Sequence, residues 1–250
     1  MLKVILSGCC GRMGNVVADL IANRDDCEIV CGVDKVCASK DFPIYPSFDD
    51  LEEKADVIID FSHISTLPGL LKYATKTKTA VVLATTGFNE EQNESIKADG
   101  KEIPVFFSFN MSLGVNLLIE LSKKAAAVLN GFDIEIIEKH HNQKLDAPSG
   151  TAVMIANGLN EVLDNKMKYE YDRHCKREKR AENEIGIHSV RGGTIVGEHE
   201  VLFCGRDEIV SISHSARSRE IFAVGAVNAA LFLKDKKPGL YSMKELVESK

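Results

Sequence analysis

The first 107 residues contain five short runs that are almost continuously apolar, and this feature limits the possible fold more than any other. The stretches between them, at 13–23, 65–75 and 90–99, carry apolar residues at helical spacing. Strands that are apolar on both faces must be covered on both faces, which predicts a parallel sheet with helices on either side. We therefore expect an α/β fold with a Rossmann-like, doubly wound sheet. The five runs are 4–7, 28–33, 56–61, 79–84 and 103–107.

After residue 110 the pattern changes, and this predicts a second domain. Residues 112–129 form one long helical stretch that stops at Asn130-Gly131. From Phe132 apolar and polar residues alternate, which indicates a strand with one buried face. Later runs at 187–191, 194–204 and 208–214 are separated by glycine-containing turns and predict antiparallel hairpins.

These boundaries give an expected division of the chain. A dinucleotide-binding domain covers 1–110 and is completed by a helix and tail in 217–250. A second α+β domain, with a mixed or antiparallel sheet, covers 111–216. Within it, the stretch 165–184 is crowded with charges of both signs and predicts an exposed loop or a solvated helix.

Composition argues against several classes of protein. The net charge of -6 argues against a nucleic-acid binder, because such proteins need a basic surplus to replace phosphate counterions. No apolar run approaches the roughly 20 residues that cross a bilayer, so we expect no membrane insertion. The start of the chain leads directly into a strand, and the seven cysteines, Cys37 among them, form no C-x-x-C pair. We expect a cytoplasmic protein with reduced thiols.

A glycine-rich turn between the first strand and the first helix predicts a dinucleotide site. Its spacing is G-x-x-G-x-x-G, and glycines there let backbone N–H groups approach a pyrophosphate. The structural alternative is a glycine turn that only packs a helix. Asp34 ends the second strand and suits the ribose hydroxyls, which favours the dinucleotide. The turn comprises Gly8, Cys9, Cys10, Gly11, Arg12, Met13 and Gly14.

Cofactor choice depends on two adjacent charges. Asp34 repels a 2′-phosphate, whereas Lys35 can pair with one, so the cofactor is NADH or NADPH, with NADH favoured and dual use expected. Two further segments follow strand ends, where ligands bind in open α/β sheets, and both are candidates to flank the nicotinamide. Ordinary strand-to-helix turns explain them equally well. These segments contain Ala84, Thr85, Thr86 and Gly87, and Ser108, Phe109, Asn110 and Met111.

The loop from Glu138 to Ala152 is unusually dense in chemically active side chains. Ser149, Gly150 and Thr151 precede a helical run, so their hydroxyl and N–H groups could bind a carboxylate. Lys144 adds a positive charge, and a histidine can transfer a proton during a reduction. Taken singly, an N-cap, a surface lysine and locally bonded histidines are more ordinary explanations. Taken together, these residues predict a carboxylate site beside a proton donor.

A metal site at this loop is not expected. His140 and His141 are adjacent in extended chain and point to opposite sides, and no further ligand stands at a suitable spacing. Arg191, His199 and His214 lie on predicted strands and are interpreted as residues of a sheet face.

The quoted motifs resemble those of the 4-hydroxy-tetrahydrodipicolinate reductase family, also called dihydrodipicolinate reductases. The resemblance covers nearly the full length. It includes the phosphate-loop glycines, Thr85-Thr86-Gly87-Phe88, Asn110-Met111-Ser112 and Val196-Gly197-Glu198-His199. Its most specific part is the E-x-H-H-x-x-K-x-D-A-P-S-G-T-A run from Glu138.

The resemblance implies roles for these residues. His140 becomes the acid/base residue and Lys144 a proton donor, while His141, Gly150 and Thr151 bind a small dicarboxylate substrate with Ser149 nearby. It also implies that the dinucleotide is lined by the glycine loop, Asp34, residues 84–86 and residues 108–111, and that the protein is a homotetramer assembled through its second-domain sheet. Another two-domain dehydrogenase or a nicotinamide-sensing regulator are the competing hypotheses. The His-His-x-x-Lys loop argues against the dehydrogenase, and the complete donor set argues against the regulator.

Overall fold

The computed structural model describes residues 1–36 and 39–249 of the chain. The chain divides into two compact units, of which the first comprises Met1–Leu113 and Glu220–Lys250 and the second comprises Gly114–Arg219. The six cysteines within the described residues are thiols and not disulfides. Cys37, for which the sequence also predicts a reduced thiol, lies outside the described residues. No helix in the described ranges is long and apolar enough to span a bilayer.

The first unit contains a seven-stranded sheet in which every pair of neighbours is parallel. The strands are β1 (Leu2–Ser7), β2 (Cys27–Val33), β3 (Ile44–Tyr45), β4 (Val57–Asp60), β5 (Ala80–Leu83), β6 (Pro104–Phe107) and β12 (Gly239–Tyr241). Their order is β12-β6-β5-β4-β1-β2-β3, so the chain reverses direction across the sheet between β1 and β4. The predicted Rossmann-like sheet is confirmed, and ligands of such sheets bind at the carboxyl edge near this reversal.

Helices cover both faces of this sheet because alternate strand residues point to opposite sides. Val4 and Leu6 belong to one core cluster, with α1 (Arg12–Ala22) and α6 (Glu220–Leu233). Ile5 belongs to the other, with α2 (Leu67–Thr77) and α3 (Glu90–Asp99). A short helix α7 (Met243–Glu248) follows β12. The sequence did not predict β3 or β12, because two or three residues are too few to show a period.

The second unit combines two helices with a five-stranded mixed sheet, as the sequence predicts. The helices are α4 (Leu113–Val128), whose first residue lies in the first unit, and α5 (Gly150–Val162); the strands are β7 (Asp133–His140), β8 (Lys168–Glu170), β9 (Glu184–Arg191), β10 (Gly197–Cys204) and β11 (Ile209–Ala216). The strand order is β11-β10-β7-β9-β8. Leu118 of α4 and Ile155 of α5 share a core with Ile134, Ile136 and Phe203 of the sheet.

One predicted hairpin is wrong. β10 and β11 form an antiparallel hairpin, but β9 and β10 do not pair, because β7 lies between them. β7 is parallel to β9 and antiparallel to β10. The Gly192 N–H group instead donates to the carbonyl oxygen of His140 at 2.9 Å. A Gly-Gly pair lets the chain reverse direction but does not determine which strand its neighbours pair with. β7, whose alternating apolar residues are buried, takes the central position in the sheet.

The stretch 165–184 is also more ordered than predicted, since it contains β8 and the first residue of β9. Arg180 explains how so polar a segment is held in place. Its guanidinium group donates to Glu135 Oε1 at 3.0 Å and to Asp133 Oδ1 at 2.9 Å, both on β7. It also donates to the carbonyl oxygen of Ile134 at 3.0 Å. Hydrogen bonds to carboxylates and backbone carbonyl groups therefore hold this segment in place, where other segments are held by burial of apolar side chains. The hydrophobic pattern of a sequence does not reveal such bonds.

Candidate active site

The loop after β1 has glycines where side chains would not fit. Gly8 has a φ of +76°, and a Cβ there would lie 2.7 Å from the carbonyl oxygen of Phe61. A Cβ on Gly14 would lie 2.1 Å from the carbonyl oxygen of Gly8, so α1 packs directly on the loop. Gly11 is the N-cap of α1 and provides no side-chain cap. The first N–H groups of the helix are therefore available in the way that a pyrophosphate requires.

Asp34, directly after β2, is joined to this loop. Its Oδ2 atom accepts a hydrogen bond from the N–H group of Cys10 at 2.9 Å, and Oδ1 accepts one from Val36 at 3.2 Å. A cavity of about 630 Å³ opens beside the carboxylate, and its lining includes Gly8, Gly11, Asp34, Lys35, Ser62 and His63. The glycine loop thus lines one cavity with Asp34 and Lys35, the two charged residues predicted to decide between NADH and NADPH. Ser62 and His63 were not selected from the sequence.

A buried carboxyl group supports the neighbouring strand end. Asp60, the last residue of β4, is 2% exposed. It accepts hydrogen bonds from Thr85 Oγ1 at 2.7 Å and from Ser62 Oγ at 2.6 Å. Burial raises the pKa of Asp60, although the bonds from Ser62 and Thr85 act in the opposite direction. Sequence reasoning missed Asp60, yet an aspartate that closes an apolar run was a usable signal.

The other strand-end segments are mostly satisfied within themselves. Ser108 Oγ donates to the carbonyl oxygen of Asn110 at 3.0 Å, and Asn110 Oδ1 accepts from the Ser112 N–H group at 2.8 Å. Phe109 is 66% exposed, with its ring 5.2 Å from that of Phe107. Thr86 is exposed, and Ala84 is half-buried. These contacts are compatible with both interpretations of the segments, as turns and as a nicotinamide site.

In the second unit, Glu138 on β7 is the centre of a hydrogen-bond network and is 0% exposed. Its Oε2 atom accepts from His140 Nδ1 at 2.6 Å and from Arg191 Nη1 at 2.8 Å. Its Oε1 atom accepts from the Ser149 N–H group at 3.1 Å and from Arg191 Nη2 at 2.7 Å. Burial by itself would raise the pKa of Glu138, but hydrogen bonds from Arg191, Ser189 and His140 hold it at about 2. The carboxylate is therefore ionised.

This carboxylate fixes the protonation pattern of His140. An ionised carboxylate can only accept hydrogen bonds, so His140 Nδ1 carries a proton and Nε2 is the atom that can exchange one. A Cβ added at Gly197 would lie 3.1 Å from Nε2, and glycine leaves that space open. Burial lowers the pKa of His140; Glu138 raises it, and the charges of Lys144 and Arg191 lower it further.

The start of α5 lies against the same network. Ser149 is the N-cap, and its Oγ accepts from the Ala152 N–H group at 3.2 Å. The same hydroxyl contacts His199 Nε2 at 3.0 Å, and burial lowers the pKa of His199 to about 4. A Cβ at Gly150 would meet nothing within 4 Å, so the helix start is open there. The N-cap explanation of Ser149 is thus realised, and Gly150 has the space that a carboxylate needs.

Lys144 is tied to the network through the loop that carries it. Its Nζ atom lies 2.8 Å from Asp146 Oδ1, and its side chain is 20% exposed. The carbonyl oxygen of Asp146 accepts from Arg191 Nη2 at 2.7 Å. The hydrogen bond from Lys144 lowers the pKa of Asp146. His140, Lys144 and Ser149 are therefore brought together by Glu138 and Arg191. His141 is half-buried, Thr151 is the second residue of α5, and neither contacts Glu138 among the described bonds.

Arg191 and His199, interpreted from the sequence as sheet-face residues, do lie on strands of this sheet, and both also bond to groups around Glu138. Their positions follow from sheet register, in which Arg191 lies opposite His140 and His199 lies opposite Glu138. Among residues 1–36 and 39–249, the groups with three or more potential metal ligands are Cys9, Cys10 and Asp34, and Asp172, His174 and Cys175. Neither group contains His140 or His141.

A Rossmann-like unit with a dinucleotide loop, joined to a unit that holds a histidine and a lysine beside an open helix start, defines the chain as an NAD(P)H-dependent oxidoreductase. Family models extend this result. Residues 2–111 match the model described as dihydrodipicolinate reductase, N-terminus, and residues 114–247 match the corresponding C-terminus. The chain belongs to the dihydrodipicolinate reductase family, and the recognition made from its motifs is confirmed.

Individual relatives support this membership. The chain is 56% identical over 248 residues to a 4-hydroxy-tetrahydrodipicolinate reductase of Caldanaerobacter subterraneus subsp. tengcongensis, covering 99% of each. It is 45% identical to the enzyme of that name from Clostridium botulinum, covering 99% of the chain and 98% of the relative. A solved dipicolinate-bound dihydrodipicolinate reductase from Paenisporosarcina sp. TG-14 superposes with a TM-score of 0.83 at 25% identity, covering 97% of each chain.

Proposed function

We propose that this chain reduces 4-hydroxy-tetrahydrodipicolinate with NAD(P)H, forming tetrahydrodipicolinate in diaminopimelate and lysine biosynthesis. The relatives of that name support the reaction, and the observation that carries it is the arrangement around His140. There, a proton-exchanging nitrogen is held beside a cation and an open helix start. Water leaves the substrate ring, a hydride is added at C4 and a proton at C3. The bound dinucleotide supplies the hydride.

The residues of the second unit bind the ring and handle the proton. Gly150 and Thr151 bind one ring carboxylate at the start of α5, where the helix dipole favours negative charge. Ser149 fixes this turn. His141 assists substrate binding. His140 and Lys144 form the acid/base pair that delivers the proton, since both have a titratable nitrogen in this loop.

The first unit binds the dinucleotide. The pyrophosphate lies on the loop formed by Gly8, Cys9, Cys10, Gly11, Arg12 and Met13, and Asp34 receives the ribose hydroxyls. Residues 84–86 and 108–111 flank the nicotinamide. NADH is favoured because the Asp34 carboxylate repels a 2′-phosphate, while the adjacent Lys35 permits NADPH as a second cofactor.

Assembly and location are part of the same proposal: a cytoplasmic homotetramer formed through the second-unit sheet. The face of this sheet opposite α4 and α5 includes Ile137, Leu202 and Ile209, the last of which is 65% exposed. The family resemblance implies the tetramer, and these three side chains are apolar groups of this face that such a contact would cover. Sedimentation equilibrium should give four times the chain mass. A monomer at micromolar concentration would contradict the assembly without affecting the reaction.

The test is oxidation of NADH or NADPH on addition of the fresh product of dihydrodipicolinate synthase. We expect turnover by the wild-type protein and its loss in the paired variant H140Q/K144M, with NADH binding retained. H174Q, which changes an exposed histidine, is the matched control and should behave like the wild type. Undiminished turnover in the paired variant would contradict the assigned roles, and no turnover by the wild type would contradict the reaction.

A further inference from the structure

We propose that Glu138 and Arg191 form a positioning pair that orients the proton-exchanging nitrogen of His140 and the carboxylate-binding start of α5 together. This inference rests on the proposed function and adds two residues to it. Glu138 and Arg191 are not assigned to the substrate or to the reacting atoms. They act through the groups that they hold.

The hydrogen bonds to Glu138 show that this pair does more than fill space. Besides a hydrogen bond from the Ser189 side chain, four donor contacts from Arg191, His140 and Ser149 are shared between the two carboxylate oxygens. Each oxygen accepts one bond from Arg191, so the fork of the guanidinium group fixes the plane of the carboxylate. Oε2 also accepts from His140, and Oε1 also accepts from the N–H group of Ser149. One rigid group thus sets two parts of the site.

Arg191 extends the same control to the lysine loop. Besides its bond to Glu138, the Nη2 atom of Arg191 donates to the carbonyl oxygen of Asp146, two residues after Lys144. The Lys144 ammonium group in turn lies 2.8 Å from the Asp146 carboxylate. The ion pair is therefore bonded to the histidine, to the helix start and to the loop of the cation. A small displacement of such groups is costly in catalysis, since reacting atoms must align closely.

The pair also sets the charge balance at His140. Four groups face its ring: Glu138 on its own strand, Arg191 on β9, His199 on β10 with ring centroids 5.3 Å apart, and Lys144 from the loop. Of these, Glu138 raises the pKa of His140, whereas Arg191 and Lys144 lower it. Removing either member of the pair should thus shift this pKa, and the two shifts should have opposite signs.

The first experiment compares E138Q with E135Q. Glu135 lies on the same strand but the opposite face, and it also bonds to a histidine, His188, at 2.7 Å and to Arg180 at 3.0 Å. In E138Q we expect a lower His140 pKa in a ¹⁵N-imidazole NMR titration, a fall in kcat of about tenfold to a hundredfold, and a rise in KM for the substrate. E135Q should leave the His140 pKa unchanged, because its network does not reach His140. Since Glu135 lies on the face assigned to the tetramer contact, kcat and KM of E135Q are compared after sedimentation shows the wild-type assembly.

The second variant, R191Q, keeps the inference testable if E138Q does not fold. Arg191 is the more exposed member of the pair, with a side chain that is 20% exposed at the end of its strand, and R191Q leaves the His140 and Ser149 donors on the Glu138 carboxylate. R191Q should raise the His140 pKa and also lower kcat. A folded E138Q or R191Q protein with unchanged His140 pKa and unchanged kcat overturns the inference. The NMR titration needs no turnover, so a failure of the proposed reaction would be distinguished from a failure of this pair.

Discussion

At the scale of single residues, the site depends on charges that are fully paired. A buried carboxylate without partners costs several kcal/mol, and the bidentate arginine together with two N–H donors offsets that cost at Glu138. Asp34 is less enclosed, and within residues 1–36 and 39–249 its carboxylate accepts hydrogen bonds from the N–H groups of Cys10 and Val36. Its carboxylate is therefore held at the loop while its environment stays open to a ligand.

Lys35 provides a residue-scale prediction about cofactor choice. It is exposed and lines the cavity beside Asp34. K35A should raise KM for NADPH by about fivefold or more, because an ion pair with the 2′-phosphate is lost, and should change KM for NADH less than about twofold. Steady-state kinetics with both cofactors measures the difference. K97A, which removes a lysine that pairs with Glu94 in α3, is the control. Equal changes for both cofactors would show that Lys35 does not discriminate.

At the scale of elements, both binding sites use the start of a helix, but the two helices begin differently. α1 begins at Gly11 with no side-chain cap, whereas α5 begins at Ser149, whose hydroxyl bonds to the Ala152 N–H group. The first arrangement suits a phosphate that approaches the backbone, and the second fixes a turn beside a carboxylate. Each helix starts at the end of a strand or loop that brings further polar groups to it.

The contact between α1 and the glycine loop leads to an element-scale prediction. G14A should destabilise the protein and weaken NADH binding, because the new methyl group would lie 2.1 Å from the Gly8 carbonyl oxygen and must displace the loop. We expect a loss of at least about 2 kcal/mol in the free energy of unfolding. G69A in α2 meets nothing within 4 Å and should stabilise by roughly 0.5 kcal/mol. Urea unfolding measures both, and a G14A protein as stable as the wild type would contradict the packing.

At the scale of the whole molecule, each unit has its own apolar core and also buries ionisable groups, Asp60 in the first unit and three groups in the second. Glu138, His140 and His199 are all at most 9% exposed. Such groups make folding depend on pH, because the unfolded chain exposes them to water and returns their pKa values to the ordinary range.

For His199, the direction in which stability changes with pH follows from its pKa. Its folded pKa of about 4 lies below the ordinary 6.5, so the unfolded chain binds the proton more readily between these values. The contribution of neutral His199 to the free energy of unfolding is complete above pH 6.5. It is lost as pH falls to about 4, a decrease of about 3 kcal/mol. Glu138 adds a further loss as pH falls from 4.5 to about 2. Denaturant unfolding across this range measures the dependence. H199Q should flatten it above pH 4, H174Q should not, and an identical slope in both variants would contradict this account.

The sequence by itself determined the elements that depend on local pattern. The continuous apolar runs required burial on both faces and so required the parallel sheet. The spacing of Gly8, Gly11 and Gly14 and the following Asp34 marked the loop and its neighbouring carboxylate. The alternation in β7 even continues past Ile136, so Glu138 and His140 could have been placed on the buried face by counting in twos.

Tertiary structure alone decided which strands became neighbours. Glu138 meets Arg191 and His199 only because β7 lies between β9 and β10, and no local signal distinguished that order from the hairpin that the glycine turn predicted. The physical reason is that turn residues permit a reversal, whereas burial of the alternating face and pairing of the buried charges select the partner strands. The sequence was sufficient to predict the residues of the loop from Glu138 to Ala152. The hydrogen-bond network that orients them depends on the order of the strands in the sheet.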